Sequence, residues 1–313
     1  APGHWAGPSP LATLAFLFPS TSAAVVEALD RNDVDVVPRA SGDVIARVES
    51  DPRLKERYEV LRAGGHSYTA WIHNVTSKKL ANPHVRRAIG LATPRESLRC
   101  EVESCNVSLA TGPLPTGHPA IADMAAPVFD RAAAARELDL AQVIDRDADG
   151  RRDLDGAPLV LRLIYPATSR QGARVASVVA DELRKLGVTL EIAPLEWAQF
   201  LKQLETHEFE LAAIEWTIDT EPDLFPLFHS SQVAGSLNYG GYADPDVDAW
   251  LVDLRREQSP PRRAELLRNV VDRVRRDEAY TFLFSPLTLA VVRKGAHGVA
   301  PSPIGWAPRA WGW

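Results

Sequence analysis

The stretch Trp216-Thr-Ile-Asp219-Thr-Glu221-Pro222-Asp223-Leu-Phe-Pro-Leu-Phe-His229-Ser230-Ser231 gathers a large aromatic, three carboxylates and a serine pair just after a short apolar run, Phe209 to Ile214. The apolar run reads as a buried strand, and ligands of open α/β sheets collect outside the carboxyl ends of strands. An aromatic surface beside carboxylates suits a ligand with an apolar body and a cationic end. The competing reading is an acidic surface loop with one core tryptophan. A second constellation, Asn238-Tyr239-Gly240-Gly241-Tyr242, can offer hydroxyl and amide groups to a ligand, or can equally be a glycine-rich turn whose rings pack inward.

Other chemistry has less support. Asp145-Arg-Asp147-Ala-Asp149-Gly150 matches the front of a calcium loop, but Gly156 stands where that loop needs a bidentate Glu. Asp153 and Asp155 could partly compensate; a polar turn feeding the next strand is the preferred reading, and no metal is assigned. No G-x-S-x-G, H-E-x-x-H, P-loop or G-x-G-x-x-G occurs, and His207-Glu208 lacks a second His. Asp219 and Glu221 as a glycosidase pair would need an opposed placement that two positions in one loop do not supply. Cys100 and Cys105 lack two further zinc ligands nearby. A local disulfide and two free thiols both fit, with the disulfide preferred.

These groups need a frame. Leu11 to Phe18 reads as a strand ended by Pro19, and Ser20 to Asp30 as a helix with Ser22 at its N-cap. Val34 to Val37 and Tyr68 to His73 read as strands. Asn82 to Leu98 reads as a helix with Val85, Ala88, Ile89 and Ala92 on one stripe, Arg86, Arg87 and Arg95 on the other side, and Pro94 threatening the last turn. Residues 106–128 read as a long loop. Strand Leu159 to Tyr165, helix Gln171 to Leu186, strand Val188 to Ile192, helix Glu196 to Leu204 and strand Phe209 to Trp216 then alternate as in an α/β domain. Gly187 closes the longer helix. Helices follow from Asp244-Pro245 and from Pro261 to about Asp277, then an extended segment, Tyr280 to Val292.

The net charge of −6 argues against a nucleic-acid partner, which asks for a basic stripe. No apolar run approaches the roughly 20 residues of a membrane span. The start, Ala-Pro-Gly-His-Trp, shows neither part of a signal peptide.

Taken in order, the landmarks resemble the family 5 solute-binding proteins of ABC transporters. They are His4-Trp5-Ala-Gly7 with Leu11 to Phe18, Ala23 to Leu29 with Asp33 to Pro38, Asn82 to Ile89, Arg174 to Val188, Trp216 to Ser231, Asn238 to Asp248, and Val292 to Pro303. Thr93-Pro94 and Arg31-Asn32 depart from the family's pattern at a helix end and a turn.

The resemblance implies an α/β, type II periplasmic-binding-protein-like fold of two lobes: 1–72 as partial lobe I, 73–285 as lobe II, and 286–313 returning to lobe I. Family members are longer at the N-terminus, so the chain is expected to be a C-terminal portion without the export signal and much of lobe I. The implied function is capture of a peptide-like solute in an inter-lobe cleft and delivery to ABC permease subunits. The protein would be a periplasmic or extracellular monomer that meets the membrane only through the transporter, with no cofactor and no catalysis. Trp216 would be the apolar wall, Asp219, Glu221 and Asp223 the partners of an amino group, with the first two ranked ahead, and Asn238 and Tyr239 hydrogen-bonding groups. A hydrolase using the Asp219/Glu221 pair and a remnant that binds nothing are the alternatives.

Overall fold

The computed structural model describes residues 13–101, 105–219, 221–296 and 299, which fall into two units. One is drawn from Ala1–His66 and Pro286–Trp313, the other from Ser67–Ser285.

In the smaller unit, helix α1 (Ser22–Arg31) leads to strand β1 (Val36–Val37), helices α2 (Gly42–Ser50) and α3 (Pro52–Arg57), and strand β2 (Tyr58–Gly64). The α1 cap is Thr21 rather than Ser22: the Thr21 hydroxyl accepts from the Ala24 amide at 3.1 Å. Strand β10 (Tyr280–Arg293) crosses into this unit, and from Leu287 to Arg293 it pairs antiparallel with β2. Leu29, Val44, Ile45, Val48, Leu54 and Tyr58 pack against Leu289 and Val291. The strand expected over Leu11 to Phe18 is not formed: residues 13–18 carry no ladder, and Leu14, Phe16, Leu17 and Phe18 are exposed. Its first two residues, the His4–Gly7 landmark, and all of the Val292 to Pro303 landmark beyond Ala296 except Val299 lie outside the described residues. Apolar alternation makes a strand only where a partner strand takes its amides.

The larger unit opens with β3 (Ser67–His73), α4 (Pro83–Leu91), α5 (Arg95–Glu101), β4 (Val107–Leu109) and α6 (Arg131–Leu140). A small hairpin, β5 (Asp153–Leu154) and β6 (Ala157–Pro158), precedes β7 (Val160–Pro166), α7 (Arg170–Arg184), β8 (Thr189–Leu195), α8 (Trp197–Glu205) and β9 (Leu211–Thr217). Helices α9 (Phe225–Phe228), α10 (Pro245–Arg256) and α11 (Pro260–Arg276) lead back to β10. Its sheet has the order β10-β3-β9-β7-β8. The β10–β3 and β3–β9 pairs are antiparallel; β9–β7 and β7–β8 are parallel.

Alternation along the strands gives the sheet two buried faces. Tyr68, Ala70 and Ile72 of β3 join Phe200 and Leu204 of α8 and the apolar stripes of α10 and α11. Trp71, on the reverse face, joins Val175, Val179 and Leu183 of α7 and the stripe of α4. Gly187 ends the α7 turn at φ +75°, a backbone conformation that glycine adopts at no steric cost.

The single helix expected over Asn82 to Leu98 is two. Asn82 caps α4, which stops at Leu91, and α5 starts after Pro94, whose ring cannot follow an α4 turn. Arg86 and Arg95, expected on the solvent side, are buried. Arg86 donates to the carbonyls of Leu80, Ala81 and Asp277, and Arg95 to those of Gly90 and Phe282. A guanidinium has enough donors to serve several helix-end carbonyls at once, which is what makes its burial tolerable. Cys100 and Cys105 form a disulfide at the end of α5.

Candidate functional site

Past β9, the chain dips inward at Ile218, emerges at Asp219, and returns inward at Pro222 and Leu224. Asp219 is exposed, with no ion pair among the described residues. Glu221 reaches Arg263 of α11 at 3.3 Å, although its side chain is 84% exposed. Asp223 accepts from the Phe225 amide at 3.1 Å and pairs with Arg255 of α10 at 2.5 Å. The Arg255 guanidinium also lies 3.8 Å from the Phe225 ring centre, and that ring stacks on His229 at 4.0 Å. The Ser230 amide donates to Asp248 at 2.8 Å. Two of the three loop carboxylates therefore bind the loop to the helices beneath it.

Asn238 is buried and has its amide engaged inside the second constellation. It donates to the His229 and Tyr242 carbonyls at 3.1 and 2.8 Å and accepts from the Tyr242 amide at 3.0 Å. The paired glycines permit this: a Cβ on Gly240 would lie 2.7 Å from the His73 carbonyl oxygen, and Gly241 sits at φ +67°. Tyr239 stacks on Trp216, ring centres 6.2 Å apart and planes 13° from parallel. Among the described residues, the buried Trp216 Nε1, Tyr68 Oη and Tyr280 Oη have no hydrogen-bond partner. The Tyr280 hydroxyl lies toward the Trp216 indole without reaching hydrogen-bonding geometry. Burial holds both tyrosine hydroxyls above their ordinary range. Of the six residues singled out in the sequence, the fold thus brings Trp216 and Tyr239 into contact. It leaves Asp219 open to solvent and ties Glu221, Asp223 and Asn238 to internal partners.

The same strand end also carries a cavity of about 300 Å³, lined by residues from both faces of the sheet. Its walls come from separated segments: Thr69 and Trp71 of β3, Thr168 to Gly172 where β7 passes into α7, Trp197 and Phe200 of α8, Ala213 and Glu215 of β9, and Leu283 and Phe284 of β10. It lies at the carboxyl ends of β7, β8 and β9, the usual place for a ligand in such sheets. Trp71 is the buried floor, 1% exposed, while Trp197 is 58% exposed and stacks on Phe200 at 5.7 Å. Ser169 caps α7 by accepting from the Gly172 amide at 3.0 Å. Glu215 is exposed and, among the described residues, is the one ionisable side chain in the lining. Glu215, Trp197 and Thr69 were not among the residues expected from sequence. The available signals were a lone charge in the run Leu-Ala-Ala-Ile-Glu-Trp and a tryptophan opening a helix just after a strand.

The Asp145, Asp147 and Asp149 carboxylates offer ligand atoms within 4.8 Å of one another. Their oxygens accept from the amides of Gly150, Asp149 and Arg151 and so brace the turn that precedes the small hairpin.

Sheet order and flanking helices define an α/β protein, and its fold is that of the type II periplasmic binding proteins. The family model described as bacterial extracellular solute-binding proteins, family 5 Middle, matches residues 1–236, and the chain belongs to that family. The oligopeptide-binding protein AppA of Bacillus subtilis is 25% identical over 247 residues, 76% of this chain and 45% of that protein. The dipeptide-binding protein of Escherichia coli is 22% identical over 308 residues, 97% of this chain and 55% of that protein. The chain spans about half the length of these curated relatives. The structure titled nickel ABC transporter from Bacillus halodurans matches the fold with a TM-score of 0.84, over 99% of this chain and 63% of that one, at 18% identity. Among the described residues, no helix is long and apolar enough to cross a membrane.

Proposed function

We propose that this chain is the solute-capturing part of the substrate-binding component of an ABC importer, taking a peptide-like solute outside the cytoplasm and presenting it to permease subunits. The observation that carries this reading is the cavity of about 300 Å³ at the strand carboxyl ends of a family 5 chain. An aromatic wall with few polar groups is the composition of a small-molecule site. Asp219, the loop carboxylate without an ion pair among the described residues, is the partner for a ligand's amino group. Capture of this kind makes and breaks no covalent bond; the ligand shifts the protein toward the state that binds it better. The hydrolase alternative gains nothing from the geometry, since Glu221 faces Arg263 rather than a position opposite Asp219 across a substrate.

Isothermal calorimetry of the chain against short peptides tests the reading. Binding without hydrolysis is expected. Asp219→Asn should weaken free-amine peptides by about tenfold and leave N-acetylated ones unchanged, the size of a lost charge-assisted hydrogen bond. Absence of binding to every peptide, or cleavage of one, would reject it.

A further inference from the structure

Of the carboxylates in β9 and the loop after it, Glu215 and Asp219 have no ion pair among the described residues, and of these two Glu215 lines the cavity. At the start of the same strand, Glu210 pairs with Lys79 at 2.8 Å and accepts from the Arg162 amide at 2.8 Å. In the loop that follows, Glu221 and Asp223 each face an arginine. Glu215 has no ion pair and no side-chain hydrogen bond among the described residues, and no other charged side chain lines its cavity.

Its surroundings narrow what it can recognise. Pairing across the strands sets Glu215 opposite Thr69, beside the apolar floor of Trp71 and Phe284. The exposed Trp197 indole forms part of the same wall. With no second charge in the lining, the field that this carboxylate sets up in the cavity has one sign. An anionic group would be repelled. A neutral apolar group that covered Glu215 would strip water from the charge and return nothing. A cation on an apolar stem meets both requirements, its head at the carboxylate and its stem along the indole.

We infer that Glu215 selects solutes bearing a cationic side chain, so that the preferred ligand is a lysine- or arginine-containing peptide. Trp197 covers the stem and Glu215 takes the ammonium or guanidinium. This inference rests on the capture reading above and adds the substrate class. It differs from the Asp219 assignment, which concerns the amino terminus common to all peptides.

The test is calorimetry of the chain with Ala-Lys-Ala, Ala-norleucine-Ala and Ala-Glu-Ala, in wild type and in Glu215→Gln. Wild type should prefer the lysine peptide to its norleucine analogue by about tenfold, a typical value for a charge-assisted contact, and bind the glutamate peptide most weakly. Glu215→Gln should bring lysine and norleucine peptides within about twofold, by weakening the lysine peptide and by relieving the norleucine peptide of the cost of covering a charge. Equal lysine and norleucine affinities in wild type overturn the inference whether or not the variant folds, as does a lysine preference that survives Glu215→Gln. Norleucine binding without lysine preference leaves the capture reading standing. Failure of all three peptides overturns the inference, whereas the capture reading falls only if the wider set of short peptides fails as well.

Discussion

Trp216 and Glu215 are neighbours in β9 and occupy opposite sides of one sheet. On the Trp216 side the ring is stacked on Tyr239 and three polar atoms are buried without partners, while the loop beyond is held by arginines and by the Asn238 amide. Glu215 instead reaches a cavity at the strand end, where it and Trp197 remain open. The first side is rich in eye-catching residues, and most of them are engaged with one another. The second draws one or two residues from each of several segments and leaves their functional ends unengaged. Clustering along the chain marks a structured loop as readily as a binding surface; the sharper sign is an unpaired charge that lines a cavity.

The contrast can be strained from either side. Trp71→Ala removes the buried floor on the Glu215 side and should cost about 3–5 kcal/mol in stability, measured by urea unfolding. A loss under about 1 kcal/mol would mean that the floor is not packed as described.

Another carboxylate, Glu278, belongs to neither side and serves as a control. It packs against Gly90, accepts from the Thr281 hydroxyl at 3.0 Å and lies 3.9 Å from Arg95. Burial pushes its carboxyl up to about 7 from 4.5, with Arg95 acting in the opposite sense. The folded state therefore holds this proton more tightly than the unfolded chain. The group's contribution is fully present below about pH 4.5 and is lost as pH rises to about 7. Glu278→Gln should flatten that part of the stability profile by about 1–3 kcal/mol, without altering peptide affinity. An unchanged slope would show that the group titrates alike in both states.

Trp197→Ala separates binding from folding. Because the indole is largely exposed, the melting temperature should hardly move, while affinity for the lysine peptide falls by about threefold to tenfold. Unchanged affinity would take Trp197 out of the site. The smallest effect belongs to the Trp216 side: Asp223→Ala breaks an exposed pair with Arg255 and should shift stability by less than about 1 kcal/mol and peptide affinity not at all. A loss of affinity there would show that this loop carries more of the site than its internal pairing indicates.

Much of the frame was legible in sequence because it rests on local rules. Period-3.6 stripes marked α7, α10 and α11, and apolar runs between turn residues marked β7, β8 and β9. Elements that depend on distant partners were not legible. Helices α2 and α3 are short, and strand β2 exists through pairing with β10, more than two hundred positions away in the chain. The apolar run before Pro19 had the right composition for a strand and forms no ladder over residues 13–18. The burial of Arg86 and Arg95 was hidden for the same reason, since their acceptors are carbonyls of Asp277 and Phe282.

By itself the sequence determined the α/β class, the order of most elements, the family, and the strand end near which polar and aromatic groups would gather. Those features follow from periodicity and turn chemistry, which act over a few residues. Only the tertiary structure decided which of those groups are free. Whether Asp223 meets a ligand or Arg255, and whether Glu215 meets a lysine of its own chain or an open cavity, depends on segments brought together from far apart. A carboxylate's chemistry is set by the charges and dielectric around it, and those are properties of the folded neighbourhood.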